Sequence, residues 1–313
     1  MTDNSPRSSH VATAVAPVSY GFMRLGHALE LICSEIGLVQ TSHVRMLGTE
    51  EKWAAVEIAV AIDDQDLDQA RARLRERFSG EADVALLPSR NRRKRLLISD
   101  MDSTIIEQEC LDELAVYAGL KDEIAAITAR AMAGELDFES ALTERVGKLK
   151  GLEMSALEQC YRERITFMPG GRTLTATMQA HRAYCLLVSG GFTFFTARVA
   201  EAVGFQGDRG NTLLDDGKAL TGEVGRPILG REAKLDALDD AAFANGLNRQ
   251  DALAMGDGAN DLAMIEAAGL GLAVHAKPIV AEAADAAIDV TDLTAALYFQ
   301  GYTDSEIVWR DDA

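Results

Sequence analysis

Residues 96–115 read LLISDMDSTIIEQECLDELA. The short run Leu96–Ser99 has the continuous apolar character of a strand buried on both faces, as in parallel sheets. It ends in Asp100-Met101-Asp102-Ser103-Thr104. Ligands of open α/β sheets bind beyond the carboxyl ends of strands, so a site belongs here. Alternation points Asp100 and Asp102 in broadly the same direction while the chain is extended. Two carboxylates so close repel unless a cation neutralises one or a proton sits on the other. Both solutions suggest chemistry. The plain alternative is a helix N-cap by Asp102 or Ser103, which does not exclude catalysis.

Downstream, short apolar strands alternate with helices. The strands fall at Tyr184–Ser189, Ala252–Met255, Leu270–Val274 and Ala286–Val290. This is the rhythm of a Rossmann-like parallel sheet covered by helices. Between the first two strands the chain reads as helix, for example around Ile124–Met132 and Phe138–Leu149. A parallel crossover needs one helix, so the surplus predicts a helical cap inserted over the sheet end, spanning about 107–180. Thr212–Val224, with Asp216-Gly217 between apolar flanks, predicts a β-hairpin excursion.

Three further elements follow strands at the same sheet edge. Ser189-Gly190-Gly191 offers a hydroxyl and glycine amides ahead of a helix at Phe192–Val203, an anion cradle. Lys234 opens the helix after the hairpin. Gly256-Asp257-Gly258-Ala259-Asn260-Asp261 adds a third acid on a loop whose glycines admit close approach. Taken singly, each has a plain reading: a strand-to-helix turn, a surface lysine, a Gly-rich turn with caps.

Upstream of the strand lies SRNRRKR, residues 89–95, which reads as a solvated linker at a domain boundary. Before it, Phe22, Leu25, Leu29, Ile32 and Ile36 share a helix face that Gly37 ends. Leu38–Leu47 and Trp53–Ile62 suggest a strand pair across Gly48–Glu51. Asp63 can cap a second helix carrying Leu67, Ala70, Leu74 and Phe78, and Val84–Leu87 closes the unit. With Val11–Val15 as a first strand the order is βαββαβ, a ferredoxin-like α+β unit. The expected organisation is a loose tail over 1–18, this unit over 19–90, and a catalytic domain over 91–313.

The chain has 313 residues, with Lys+Arg 31 against Asp+Glu 49, a net charge of −18. Such acidity gives no general attraction to nucleic acid or to an anionic membrane, so neither is expected as a partner. An anionic substrate must be held by a few well-placed cations. Cys33, Cys110, Cys160 and Cys185 form no CxxC pair, which argues against a zinc site or a disulfide framework. No apolar run approaches membrane-spanning length, and the polar N-terminus lacks a signal core, so a cytoplasmic location is expected.

In order and strand context, DMDST, the Ser189 turn, Lys234 and GDGAND resemble the four motifs of the haloacid dehalogenase-like phosphohydrolases. The resemblance extends to the phosphoserine phosphatases over about 90–313. It rests on ISDMDSTIIEQECLDELA, AMAGELDFESALTERV, VSGGFT and GDGANDLAMIEAAGLGLAVHAKP. It implies that Asp100 attacks phosphorus and forms an aspartyl phosphate. Asp102 would protonate the leaving seryl oxygen and then deprotonate water. Mg²⁺ would be bound by the Asp100 and Asp257 carboxylates and the Asp102 carbonyl. Ser189, Gly190 and Lys234 would hold the phosphate, with Asn260 nearby. Glu109 would meet the substrate ammonium, Arg145 its carboxylate, and Met132 and Phe138 would close over it. The implied reaction, hydrolysis of O-phosphoserine, completes serine synthesis. From the residues alone, Glu109 could equally be an exposed helix residue, and Arg145 could pair with Glu144 or Glu139. The first ninety residues are similar to the ACT-like amino-acid-binding domain, but VSYGFMRLGH (18–27) shows no clear ligand loop, so a structural role or pairing into a homodimer is as well supported.

Overall fold

The computed structural model describes residues 9–48, 52–132 and 135–310. The N-terminal part runs β1 (His10–Pro17), α1 (Phe22–Glu35), β2 (Val39–Gln40), β3 (Arg45–Met46), β4 (Trp53–Ala61), α2 (Leu67–Arg77) and β5 (Asp83–Pro88). Then come β6 (Leu96–Ser99) and four helices: α3 (Cys110–Tyr117), α4 (Lys121–Met132), α5 (Phe138–Lys148) and α6 (Met154–Arg164). The chain returns through α7 (Gly171–Ala180), β7 (Tyr184–Phe192), α8 (Thr193–Val203) and β8 (Gly207–Asn211). A hairpin, β9 (Leu213–Asp215) and β10 (Leu220–Val224), precedes α9 (Glu232–Ala244) and β11 (Ala252–Gly256). Finally there are α10 (Leu262–Ala267), β12 (Leu270–Val274), α11 (Pro278–Ala283), β13 (Ala286–Ile288) and α12 (Ala295–Phe299).

One sheet runs through both halves, in the order β2-β4-β1-β5-β13-β12-β11-β6-β7-β8, with β3 also on β4. From β13 to β8 its neighbours are parallel, as the apolar runs predict. The N-terminal strands pair antiparallel in βαββαβ order. The join is β5 against β13, antiparallel through Ala85 and Ala286.

That join corrects the expected domain organisation. The 1–18 tail is interrupted by a strand from residue 10; residues 1–8 lie outside the described residues, as does most of the turn expected at Gly48–Glu51. In β1, Ala12, Ala14 and Ala16 pack under α1 and α2, while Val15 faces α12 and joins the catalytic core with Leu47, Ala55, Ala85 and Leu87. The N-terminal sheet is therefore buried on both faces.

The basic run is no solvated linker. Arg92, nearly buried, donates to Glu57 (3.0 Å), Thr13 (3.2 Å) and the carbonyl of Phe299 (3.0 Å). Arg93 binds both carboxylate oxygens of Glu306 at 2.8 Å and stacks on Tyr302. Buried Lys94 donates to the carbonyls of Asn91 (2.7 Å) and Gln250 (2.9 Å). Across the same seam, Asp83 accepts from the amides of Asp289, Val290 and Thr291 at 2.8–3.0 Å. Its position fixes the loop after β13.

The cap is shorter than 107–180. Its helices are α3 to α6, and its stem is a two-stranded hinge, Ile106 opposite Phe167, with Glu107 and Met168 donating to Thr166 and Ile105. Beyond it, α7 packs Leu174 and Met178 into the sheet's core. The hairpin leans on the cap: Gly151 donates to Leu220, Leu220 to Leu152 and Met154 to Lys218.

Candidate active site

All four motifs meet at the carboxyl ends of β6, β7 and β11. Asp100 leaves β6 buried, its Oδ1 accepting from the Met101 amide at 2.8 Å. Its Oδ2 lies 2.7 Å from Lys234 Nζ, which also binds Asp261 Oδ1 at 2.5 Å. Burial alone would lower the Lys234 pKa, but the two carboxylates outweigh it and hold the ammonium above its ordinary value. The lysine is thus a fixed positive charge against the first aspartate.

Asp102 sits differently. Its Oδ1 accepts from the Cys110 amide (2.9 Å) and its Oδ2 from the Ser189 hydroxyl (3.1 Å). Burial and the charge of Asp100 raise its carboxyl to about 6, against the hydrogen bonds from Cys110 and Ser189. Asp102 is therefore driven toward its protonated form while Asp100 lies against an ammonium, an arrangement that suits an acid beside a nucleophile. The approach demands glycine at 191, where a Cβ would stand 2.9 Å from Asp102 Oδ2. Gly191 N donates to Ser189 Oγ at 2.8 Å, closing the cradle. This cradle belongs to strand rather than helix, because β7 runs on through Phe192.

On the other side, carboxylate oxygens of Asp100, Asp257 and Asp261 converge within 4.8 Å of one another. Half-buried Asp257 has a raised pKa, from burial and the charge of Asp100, opposed by Lys234 and Lys277. Asp261 is buried, takes the Gly258 amide at 3.0 Å and is also raised, by burial and Asp100. A Cβ at Gly256 would lie 2.3 Å from Asp261 Cγ, so the loop's glycine is obligatory. Three carboxylates, two of them already touched by Lys234, suit a hard, oxygen-seeking divalent cation beside that ammonium. Asp261 went unread in the sequence as a site residue. The four-residue step from Asp257 was its only signal, and capping explained that equally well. Asp102 is expected to reach the metal through its backbone carbonyl, and its carboxylate accordingly is spent on Cys110 and Ser189 rather than on this cluster. Asn260 is part-exposed on the same loop.

The cap brings the remaining candidates over this edge. Glu109 stands at the N-cap position of α3 without a side-chain capping bond, and its Oε1 accepts from Ser103 Oγ at 2.9 Å. Its side chain opens to solvent, yet the surrounding protein and the charge of Asp102 raise it to about 7. Arg145, on α5, is part-buried, and its pKa is lowered by burial against the charges of Asp112 and Glu109. Neither of its expected surface partners takes it: Glu144 binds Arg130 (2.8 Å) and Glu139 binds Arg226. Among the described residues its one hydrogen bond is to the Ala141 carbonyl, at 3.3 Å. Phe138 lies across the cradle, its ring 3.3 Å from where a Cβ on Gly190 would stand. The side chain of Met132 falls outside the described residues. Among the described residues the buried hydroxyl of Thr104 has no hydrogen-bond partner.

The family model of the haloacid dehalogenase-like hydrolases matches residues 97–266. A phosphoserine phosphatase of Archaeoglobus fulgidus is 39% identical over 244 residues, covering 76% of this chain and 70% of its own length. A probable phosphoserine phosphatase of Schizosaccharomyces pombe is 36% identical over 282 residues, 90% of this chain and 93% of the relative. Among solved structures, a phospho-aspartyl intermediate analogue of a phosphoserine phosphatase superposes with a TM-score of 0.60 at 38% identity, over 66% of this chain and 99% of that one.

Proposed function

The chain belongs to the haloacid dehalogenase-like hydrolases, among their phosphoserine phosphatases, and from that premise we propose that it hydrolyses O-phosphoserine to serine and phosphate with Asp100 as nucleophile and Asp102 as acid and base. One observation carries the division of labour. Asp100 is held against the Lys234 ammonium, while Asp102 is raised to about 6 with no cation on it among the described residues. Asp100 attacks phosphorus, the P–O bond to the seryl oxygen breaks, and the Asp102 proton goes to that oxygen. Water then attacks the phosphorus of the aspartyl phosphate, the P–O bond to Asp100 breaks, phosphate leaves, and the water's proton goes to Asp102, restoring both carboxyls. Gly190, Lys234 and Ser189, whose single proton rests on Asp102 in the free state and would turn to the substrate, hold the phosphoryl oxygens, with Asn260 at the rim, and Lys234 offsets charge during transfer.

The carboxylates of Asp100 and Asp257 would hold Mg²⁺, with the Asp102 carbonyl as expected from the family and Asp261 in reach behind Lys234. When bound, the ion would neutralise phosphoryl charge beside three acids. Among the described residues no ion pair occupies Arg145, which leaves its guanidinium for a substrate carboxylate, and Glu109 faces the same cleft with an ammonium's counter-charge. The N-terminal unit we read as ACT-like and structural, because its second face is occupied by α12. Described helices include none long and apolar enough to cross a membrane.

Phosphate release from a panel of phosphomonoesters, with and without Mg²⁺, tests this reading. Preference for phosphoserine, lost in EDTA, is expected. Equal rates on unrelated phosphomonoesters, or full activity after exhaustive chelation, would overturn it.

A further inference from the structure

Asn211 is the last residue of β8, opposite Phe192, and 1% exposed. Nothing in its sequence context, GDRGN, marks it for chemistry. Its side chain nonetheless uses its full amide. Nδ2 donates to the carbonyl of Gly190 at 2.8 Å and to that of Leu229 at 3.2 Å, while Oδ1 accepts from the Leu229 amide at 2.7 Å.

The bond to Gly190 reaches the cradle. The Gly190 carbonyl and the Gly191 N–H belong to one planar peptide unit, so fixing one end fixes the other. Asn211 holds the carbonyl end, and the amide end donates to Ser189 Oγ at 2.8 Å. That hydroxyl, with its acceptor side occupied, turns its proton to Asp102 Oδ2 at 3.1 Å. The line runs unbroken from Leu229 through Asn211, the 190–191 peptide and Ser189 to the acid and base. Successive hydrogen bonds of this kind polarise one another, and a buried break in one is costly. The outer end is anchored too, because Leu229 follows the hairpin that the cap grips through Gly151, Leu152 and Met154.

We propose that Asn211 is a positioning residue of the reaction: by clamping the 190–191 peptide it aims the Ser189 hydroxyl at Asp102 and sets the phosphate cradle. The proposal rests on the reading of Asp102 and Ser189 given above. It requires the effect of Asn211 to pass through Ser189, and it requires the effect to be indifferent to the amino-acid part of the substrate.

The test is a double-mutant cycle on the full chain. Wild type, Ser189→Ala, Asn211→Asp, Asn211→Ser and the double Ser189→Ala/Asn211→Asp are assayed on phosphoserine and on p-nitrophenyl phosphate, with melting temperatures recorded. Asn211→Asp keeps the shape and the acceptor for the Leu229 amide, but sets an oxygen against the Gly190 carbonyl. The expected result is a fall in kcat of about tenfold or more on both substrates, without a selective rise in KM for phosphoserine. The double variant should be about as slow as Ser189→Ala alone, since residues acting through one another are not additive. Multiplying losses, or unchanged rates in both Asn211 variants, would overturn the proposal. So would failure of both to fold, which would make Asn211 a residue of the scaffold. Full activity in Ser189→Ala has a separate meaning: it overturns the reading of the cradle itself, and the proposal with it.

Discussion

Strand β6 has charged residues at both ends, and they do different work. At its carboxyl end, Asp100 and Asp102 open into a cleft where a lysine, a hydroxyl and two more acids meet them. At its amino end, Arg92, Arg93 and Lys94 turn into the seam between β5, α12 and the C-terminal segment. The difference lies in what the charges face. The acids at the carboxyl end crowd one another, and Asp102, Asp257 and Asp261 have raised pKa values, whereas the basic run is consumed by carbonyls and carboxylates of the scaffold. A charge cluster beside a strand is thus read by which end of the sheet it occupies and by whether its partners are already supplied.

The largest effects should fall at the two ends separately. Asp100→Asn should abolish turnover while the protein remains folded, because an amide is a poor nucleophile and its carboxylate is not needed across the seam. Trapping a hydroxylamine-labile phosphoenzyme in that variant would remove Asp100 from its role. Deleting residues 1 to 90 should yield insoluble or unfolded protein, since it strips β5 from β13 and uncovers Tyr298 and Phe299. An active, soluble fragment would show that the continuous sheet is dispensable. The sequence alone favoured that outcome, treating the basic run as a boundary.

Next in size is the seam itself. Arg92→Ala should cost about 3–5 kcal/mol in denaturant unfolding, because Glu57 would be left buried, though Arg45 still reaches it at 2.6 Å. The double variant with Glu57→Gln should recover part of the loss. Activity per folded molecule should be unchanged. A drop in kcat without a drop in stability would erase the contrast between the two ends.

What was legible follows the same division. The parallel strands Leu96–Ser99 and Leu270–Val274 were readable to the residue because they are buried on both faces and uninterrupted. DMDST and GDGAND were readable because carboxylates at strand ends have few structural uses. β8 escaped notice, since GDRGN is a polar, glycine-rich edge strand with no apolar period. The seam escaped because its arginines look solvated until their partners, far along the chain, are known. One clue was available: HVATAVAP offers apolar residues to both faces of β1, which a half-exposed sheet does not need. The cap boundary was overdrawn because periodicity does not tell α7, a core crossover, from the cap helices before it.

A smaller effect tests specificity at the catalytic end. Arg145→Ala should cost phosphoserine about 2–5 kcal/mol in kcat/KM, as for one partner of a desolvated pair. Phosphoethanolamine, with no carboxylate, should be nearly indifferent. Equal losses on both would mean that Arg145 supports cap closure rather than reading the substrate.

The smallest effect is a matter of pH, and it separates Glu109 from the acids beneath it. In the free enzyme its carboxyl is raised to about 7, by the surrounding protein and by Asp102. An ammonium needs it ionised, so the competent form is lost as pH falls through that value. Since kcat/KM reports the free enzyme, it should fall by up to about tenfold per pH unit on the acid side of this group. The substrate phosphate also titrates, with a pKa of about 6, and would bend any profile. 3-Phospholactate carries the same phosphate without the ammonium and controls for that. Its profile should keep the lower bend and lose the one near 7, and Glu109→Gln should lose it with phosphoserine as well. Identical acid limbs for the two substrates would place the titration in the phosphate or the reacting acids and take the ammonium contact from Glu109.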